Sequence, residues 1–331
     1  MTPVTVRVPA KVNLQLSVGP PRGDGYHDLV TVFHAVSLFD EVTVRPADRA
    51  SVRVTGEGAA SVPAGRSNLA VRAARALASV ALARRSKPAV HIDIRKRIPV
   101  AAGLAGGSAD AAAALVACNE LWGTGLTHAE LREVAATVGS DVPFALLGGT
   151  AIGQGRGELL SPALTTGTYH WVLAFSSGAL STPDVYAACD RLRAARPSGA
   201  RYATSPPNPA TQGTLAGAAE ADVESPALST QLMAALRAGD SAAVGPLLSN
   251  DLQAAAVSLR PGLRRTLEAG KEFGALGAIV SGSGPTCAFL AADAARAREL
   301  AVALTGAGVC RGVVRVKGPA AGAALTAAKT R

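Results

Sequence analysis

Between residues 90 and 121 an alternating strand runs into a glycine-rich segment and then into an alanine-rich helix. This succession constrains the fold more than any other part of the chain. Val90-His-Ile-Asp-Ile-Arg-Lys-Arg-Ile98 alternates apolar and polar residues with the period of a half-buried strand. Pro99 ends it, Gly103-Leu104-Ala105-Gly106-Gly107-Ser108-Ala109-Asp110 follows, and residues 111–121 predict a strong helix. Glycines open backbone angles closed to other residues and let the backbone approach a ligand. The first turn of a helix offers unpaired N–H groups and the positive end of its dipole. Together these suit a phosphate, and Ser108 adds a hydroxyl within reach of a phosphate or a bound Mg²⁺. The spacing matches neither a Walker A loop nor a dinucleotide fingerprint, and His-Arg-Asp and Asp-Phe-Gly are absent. On spacing alone, a tight connection that needs glycine only for packing fits equally well.

The rest of the chain reads as a mixture of strands and helices. Val4/Val6/Val8, Val12/Leu14/Leu16, Val42/Val44 and Val52/Val54 alternate with polar neighbours and predict strands. Residues 68–83 predict a helix that Ser67 or Asn68 can cap, and residues 129–138 a shorter one. Further on, residues 171–175 predict a strand, and 193–226, rich in Pro, Ser, Gly and Ala, a long mobile loop. Helical patterning resumes over 227–248 and 262–273. Residues 278–290 read as strand, glycine turn, strand, followed by a helix over 294–305 and a strand over 313–316. The class is α+β, without an internal repeat, dividing near residue 160 into halves 1–160 and 161–331.

Composition narrows the function classes. With 331 residues, 48% of them hydrophobic and 17% charged, the chain has material for two globular cores. Its four cysteines are scattered, which argues against a zinc site or a disulfide framework. The N-terminus alternates without the apolar core of a signal peptide, and no run of about 18 apolar residues occurs. A soluble, cytoplasmic protein is expected. A net charge of +9, with basic runs at 84–87 and 95–97, raises nucleic acid as a partner. Aromatic content of 4% is too low for an evident stacking platform, and attraction for anionic small molecules explains the charge as well.

Several side chains carry two readings. Asp141 stands where a helix begins, so capping alone accounts for it. Lys11 lies in a predicted strand, where exposure is the default. Asp110 follows the glycine segment and reads more as a helix-start carboxylate than as a base. His34, His91, His128 and His170 have no partners at metal-ligand spacing and read as structural.

Three ordered segments resemble the signatures of the GHMP kinases: Ala10-Lys11-Val12-Asn13-Leu14, Pro99 through Asp110, and Ser281-Gly-Ser-Gly-Pro-Thr-Cys287. The resemblance implies two α+β domains, the first like the second domain of ribosomal protein S5 and the second ferredoxin-like, with ATP and Mg²⁺ as the phosphoryl donor. It implies an ATP site at Pro99, Gly103, Leu104, Ala105, Gly106, Gly107, Ser108, Ala109 and Asn68. The family usually has glycine at the position of Ala105, and alanine fits there only if φ is not positive. Arg22-Gly-Asp-Gly-Tyr26-His27, Gly139-Ser-Asp141-Val-Pro-Phe144 and Asn250-Asp-Leu252 resemble a branch acting on a methylerythritol that carries a cytidine diphosphate. That branch implies Asp141 as the proton acceptor for the substrate's 2-hydroxyl and Lys11 as its partner. It places Asn13, Tyr26, His27 and Tyr186 on the substrate, with a tyrosine stacked on cytosine and His27 at its edge. Tyr186 belongs to Ser181-Thr-Pro-Asp-Val-Tyr186, similar to a substrate-side loop. A GHMP kinase of another small alcohol such as homoserine, or a basic RNA-binding protein, are the competing expectations. Oligomeric state is not legible.

Overall fold

The computed structural model describes residues 2–81, 89–195 and 225–326. The basic run at 84–87 and most of the predicted loop at 193–226 lie outside them. The first half carries β1 (Val4–Pro21), β2 (His27–Pro46), β3 (Ser51–Gly56), α1 (Leu69–Ala81), β4 (Val90–Lys96), α2 (Gly106–Trp122) and α3 (His128–Val138). It continues with α4 (Val142–Leu147), β5 (Thr150–Gln154) and β6 (Leu159–Pro162). Next come β7 (Tyr169–Phe175), α5 (Thr182–Ala194), α6 (Thr230–Ala238), α7 (Ser241–Val244), β8 (Ser249–Asn250) and α8 (Gln253–Leu259). The chain closes with α9 (Gly262–Glu272), β9 (Gly277–Val280), β10 (Cys287–Ala291), α10 (Ala294–Gly306), β11 (Gly312–Gly318) and β12 (Ala324–Leu325).

The spine of the first sheet is the long antiparallel pair β1–β2, extended in the order β12-β1-β2-β4-β3, with β5 also on β2 and β8 on β1. Val6, Val8, Val12, Leu14, Leu16 and Val18 put the even face of β1 into the core. Part of that core is α2, whose run of alanines is buried at 109 and 111–114 and brings the helix close to the sheet. The odd face differs from the expected polar, solvated side of an alternating strand. Lys11, Asn13 and Gln15 are all buried, because the second half of the chain lies over them. Gln15 donates to Ala227 O at 2.6 Å and accepts from Ser229 N at 3.0 Å, and β8 pairs beside Gln15 and Leu16.

The second sheet is antiparallel throughout, in the order β11-β7-β10-β9. With helices between β7 and β9 and α10 between β10 and β11, this is the βαββαβ, ferredoxin-like arrangement. The class is α+β, as the patterning expects.

Several elements depart from the sequence reading. The helix of the glycine segment starts at Gly106, so Gly106, Gly107 and Ser108 are its first turn and not a loop before it. The patterning over 227–248 breaks in two where Gly239 ends α6 at φ 73° and the Asp240 side chain caps α7. Residues 181–186 are not a loop. Ser181 caps α5 and Tyr186 sits in its second turn; Arg193, read as the start of a loop, is in its last. The short helices α4 and α8 had no periodic signal long enough to read. Among the described residues no helix is long and apolar enough to cross a membrane.

Candidate active site

The site is built where the three glycine-bearing segments meet. Gly103 has φ 75°, and a Cβ there would lie 2.1 Å from Ser281 O, so glycine is required twice over. Ser281 Oγ donates to Gly103 O at 3.0 Å, and Thr286 N donates to Ala102 O at 3.3 Å. Lys11 N donates to Leu104 O at 3.3 Å, which ties β1 to the same turn. Asn250 steadies the third segment by donating to Val280 O and Gly282 O at 2.8 and 2.7 Å.

Ala105 immediately precedes α2 and has φ 57°, which overturns the expectation that an alanine here avoids positive φ. The chain must reverse there to enter the helix, at a cost of about 1–2 kcal/mol for a residue with a Cβ. The first-turn N–H groups of Gly106, Gly107 and Ser108 have no partner within the helix. Gly107 is exposed and Ser108 half-buried, whereas Pro99, Leu104 and Ala109 are turned into the core. Beside this turn opens a cavity of about 270 Å³ lined by Asn68, Lys96, Val100, Ala101, Gly107 and Asp110, among others. Asn68 is fixed on its rim. Its Oδ1 accepts from Ala70 N at the start of α1, and its Nδ2 donates to Pro63 O, both at 2.9 Å.

Beneath the turn lies a buried ionic cluster. Lys96 Nζ donates to Asp110 Oδ2 at 2.7 Å and to Asp40 Oδ2, while Asp40 Oδ1 accepts from Arg97 N at 2.5 Å and Ile98 N at 2.9 Å. Asp110 is therefore a structural ion partner and not an exposed helix-start carboxylate. Burial raises its pKa, and the second carboxylate of Asp40 acts in the same direction against Lys96. For Lys96 burial works downward, but Asp110 and Asp40 together raise its pKa. Asp110 Oδ1 is buried without a partner among the described residues. Lys96 also leaves the basic surface run in which the sequence placed it, since only Arg95 and Arg97 of that run face solvent.

Lys11 and Asp141 face each other across the site. Lys11 is buried, contrary to its default reading, and its Nζ lies 3.8 Å from Asp141 Oδ2. That is an ion-pair distance, longer than a hydrogen bond. It leaves room for a hydroxyl oxygen to bridge the two at hydrogen-bond distance from each. Burial lowers the Lys11 pKa, and the Asp141 charge opposes this without reversing it. Lys11 Nζ also donates to Asn13 Oδ1 at 2.6 Å, and Asn13 Nδ2 donates to Thr31 Oγ1 at 2.8 Å. Asp141 occupies the N-cap position of α4 yet makes no side-chain capping bond, so capping does not account for it. A Cβ on Gly282 would stand 3.3 Å from Lys11 Nζ, so the third glycine segment passes directly beside the ammonium.

Tyr186 and His27 form a second pair. Their rings stand 5.0 Å apart at 42°. Burial pushes the Tyr186 phenol above its ordinary value, and the Asp141 charge acts in the same direction. His27 Nε2 lies 3.1 Å from both carboxylate oxygens of Asp190. Tyr26 is 54% exposed, with the Arg156 guanidinium 5.0 Å from its ring centre. The structure thus sets Lys11 beside Asp141 and Asn13, pairs Tyr186 with His27, and leaves Tyr26 exposed. Asp40, Lys96, Thr31 and Asp190 were not read from the sequence as site residues. Lys96 alone had a signal: it continues the inward register of Val90, Ile92 and Ile94 on β4. No group of three metal-ligating side chains occurs among the described residues.

An ion pair set near a helix N-terminus and a second glycine turn is an arrangement suited to phosphoryl transfer. The chain matches the GHMP kinases N terminal domain over residues 68–149 and the GHMP kinases C terminal domain over 232–310. It belongs to the GHMP kinase family, whose members draw on ATP. A 4-diphosphocytidyl-2-C-methyl-D-erythritol kinase from Mycolicibacterium gilvum is 55% identical over 326 residues, 98% of this chain and 93% of the relative. The enzyme of that name from Mycolicibacterium smegmatis is 56% identical over 97% of this chain and 91% of its own length. Among solved structures, a crystal structure of 4-(cytidine 5'-diphospho)-2C-methyl-D-erythritol kinase has 32% identity and a TM-score of 0.69, covering 94% of this chain and 98% of its own.

Proposed function

We propose that this chain transfers the γ-phosphoryl group of ATP to the 2-hydroxyl of 4-diphosphocytidyl-2-C-methyl-D-erythritol, a step toward isoprenoid precursors that does not pass through mevalonate. The observation that carries the chemistry is the Lys11–Asp141 pair, 3.8 Å apart and adjacent to the phosphate-binding turn. A substrate hydroxyl seated between them donates its proton to the Asp141 carboxylate and accepts a hydrogen bond from Lys11 Nζ. Phosphoryl transfer proceeds through a loose transition state, so the alcohol need not be ionised in advance. Asp141 orients the oxygen and takes the proton late. Lys11 offsets charge gathering on the transferring group, and its burial makes that charge more effective.

The first-turn N–H groups of α2 hold the phosphates, with the adenosine end in the cavity beside Asn68 and Lys96. A Mg²⁺ accompanying the nucleotide would have the Ser108 hydroxyl, in the first turn of α2, as its protein contact. It would neutralise phosphate charge. His27, Tyr186 and Asn13 take the cytidine diphosphate and methylerythritol ends, with Tyr26 at the rim. With a division near residue 160, Tyr186 comes to this pocket from the second half, and the compartment is the cytoplasm. ADP release with ATP, Mg²⁺ and each candidate alcohol tests the reading. Turnover on homoserine or mevalonate, and none on the cytidine substrate, would overturn it.

A further inference from the structure

Asp190 has no part in phosphate or hydroxyl chemistry, yet both of its carboxylate oxygens converge on one nitrogen of His27, each at 3.1 Å. The placement is built. Asp190 lies on α5, whose Val185, Ala188 and Cys189 are buried in the second core. One turn on, Arg193 donates to Val18 O at 2.7 Å and Gly19 O at 3.0 Å and meets Asp251 at 3.3 Å. These bonds fasten α5 to the end of β1, whose Pro21 pairs with His27 at the start of β2. Helix and histidine are thus held in register, and Tyr186 packs on the imidazole from the same helix.

A carboxylate accepts hydrogen bonds and cannot donate them. The ring nitrogen facing Asp190 must therefore carry its hydrogen, and in a neutral imidazole the other nitrogen is then a pure acceptor. Nδ1 of His27 has no hydrogen-bond partner among the described residues. We infer that Asp190 is a positioning residue which locks His27 in the Nε2–H tautomer, so that Nδ1 accepts from the exocyclic amine of cytosine and rejects a base with a carbonyl at that position. The inference rests on the functional reading above and adds to it the residue that sets base choice. Uracil presents an acceptor where cytosine presents a donor, and two acceptors facing each other cost the bound state a hydrogen bond.

The test uses the full chain labelled with ¹⁵N-histidine. Long-range ¹⁵N–¹H correlation reports which nitrogen of neutral His27 is protonated, without reference to activity. The expected result is Nε2–H in the parent protein and a mixture of tautomers in Asp190→Asn, whose amide can face the ring either way. In parallel, kcat/KM is measured with the cytidine diphosphate substrate and its uridine counterpart. In Asp190→Asn the preference for cytosine should fall by about tenfold or more, the worth of one net hydrogen bond. The change should reside in KM for the cytidine substrate, with KM for ATP unmoved, and Asp190→Glu should regain part of it. Protonation of neutral His27 at Nδ1 in the parent would overturn the inference, as would an unchanged preference in the folded Asn variant. No turnover of the cytidine substrate by the parent would instead bring down the functional reading along with the base-reading role.

Discussion

At Lys11 two effects of comparable kind compete: burial disfavours the ammonium, and Asp141 across the site favours it. Burial wins, so the proton is held less firmly than on a free lysine, while the short bond to Asn13 fixes where the ammonium points. His34 is the simpler case. It is fully buried, among the described residues it is hydrogen-bonded at Nδ1 alone, to Thr150 Oγ1 2.8 Å away, and burial brings its pKa down to about 3. Unfolded, the same ring takes a proton near 6.5. Between those values the unfolded chain binds the extra proton, so stability is whole above about pH 6.5 and is lost as pH falls. From pH 6.5 to pH 5 the loss should be about 1.6 kcal/mol, the slope nearing 1.36 kcal/mol per pH unit once the unfolded ring is mostly protonated. Urea unfolding at the two pH values measures it, and His34→Gln should flatten the slope.

At the scale of elements, the start of α2 carries strain that the sequence alone did not reveal. Ala105 at φ 57° predicts that Ala105→Gly raises stability by up to about 1 kcal/mol, read from the urea midpoint. A loss of stability would show that the turn relaxes around alanine. The ionic cluster below makes the opposite prediction. Lys96→Met leaves Asp40 and Asp110 buried without a cation and should cost about 3–5 kcal/mol in the same experiment. These elements also mark what was legible. The β4 strand, α1, α3 and α10 follow from periodicity and caps. The burial of Lys96 on the inward register of β4 was readable in principle, but basic residues on both sides made it look like part of a surface run. Asp110 could not be placed, because the cluster it joins through Lys96 depends on Asp40 from β2, far away in sequence.

At the scale of the molecule, the site draws on β1, the starts of α2 and α4, the turn after β9, and α5, so no single window of sequence contains it. Motif resemblance drew Lys11 and Asp141 out of their bland readings. Alternation in β1 argued the other way, because a strand pattern cannot show that a second half of the chain will cover the polar face. Asp190 had no signal, since its meaning depends on α5 being fastened beside His27 by Arg193. The measurement that bears most directly on the account is ADP release with ATP, Mg²⁺ and 4-diphosphocytidyl-2-C-methyl-D-erythritol, by the parent and by Asp141→Asn. The account predicts turnover by the parent and a loss of about 10²–10⁴ in kcat for the variant, the range of general acid–base help. Equal turnover by the two proteins would contradict the role of Asp141, and no turnover by the parent would contradict the account itself.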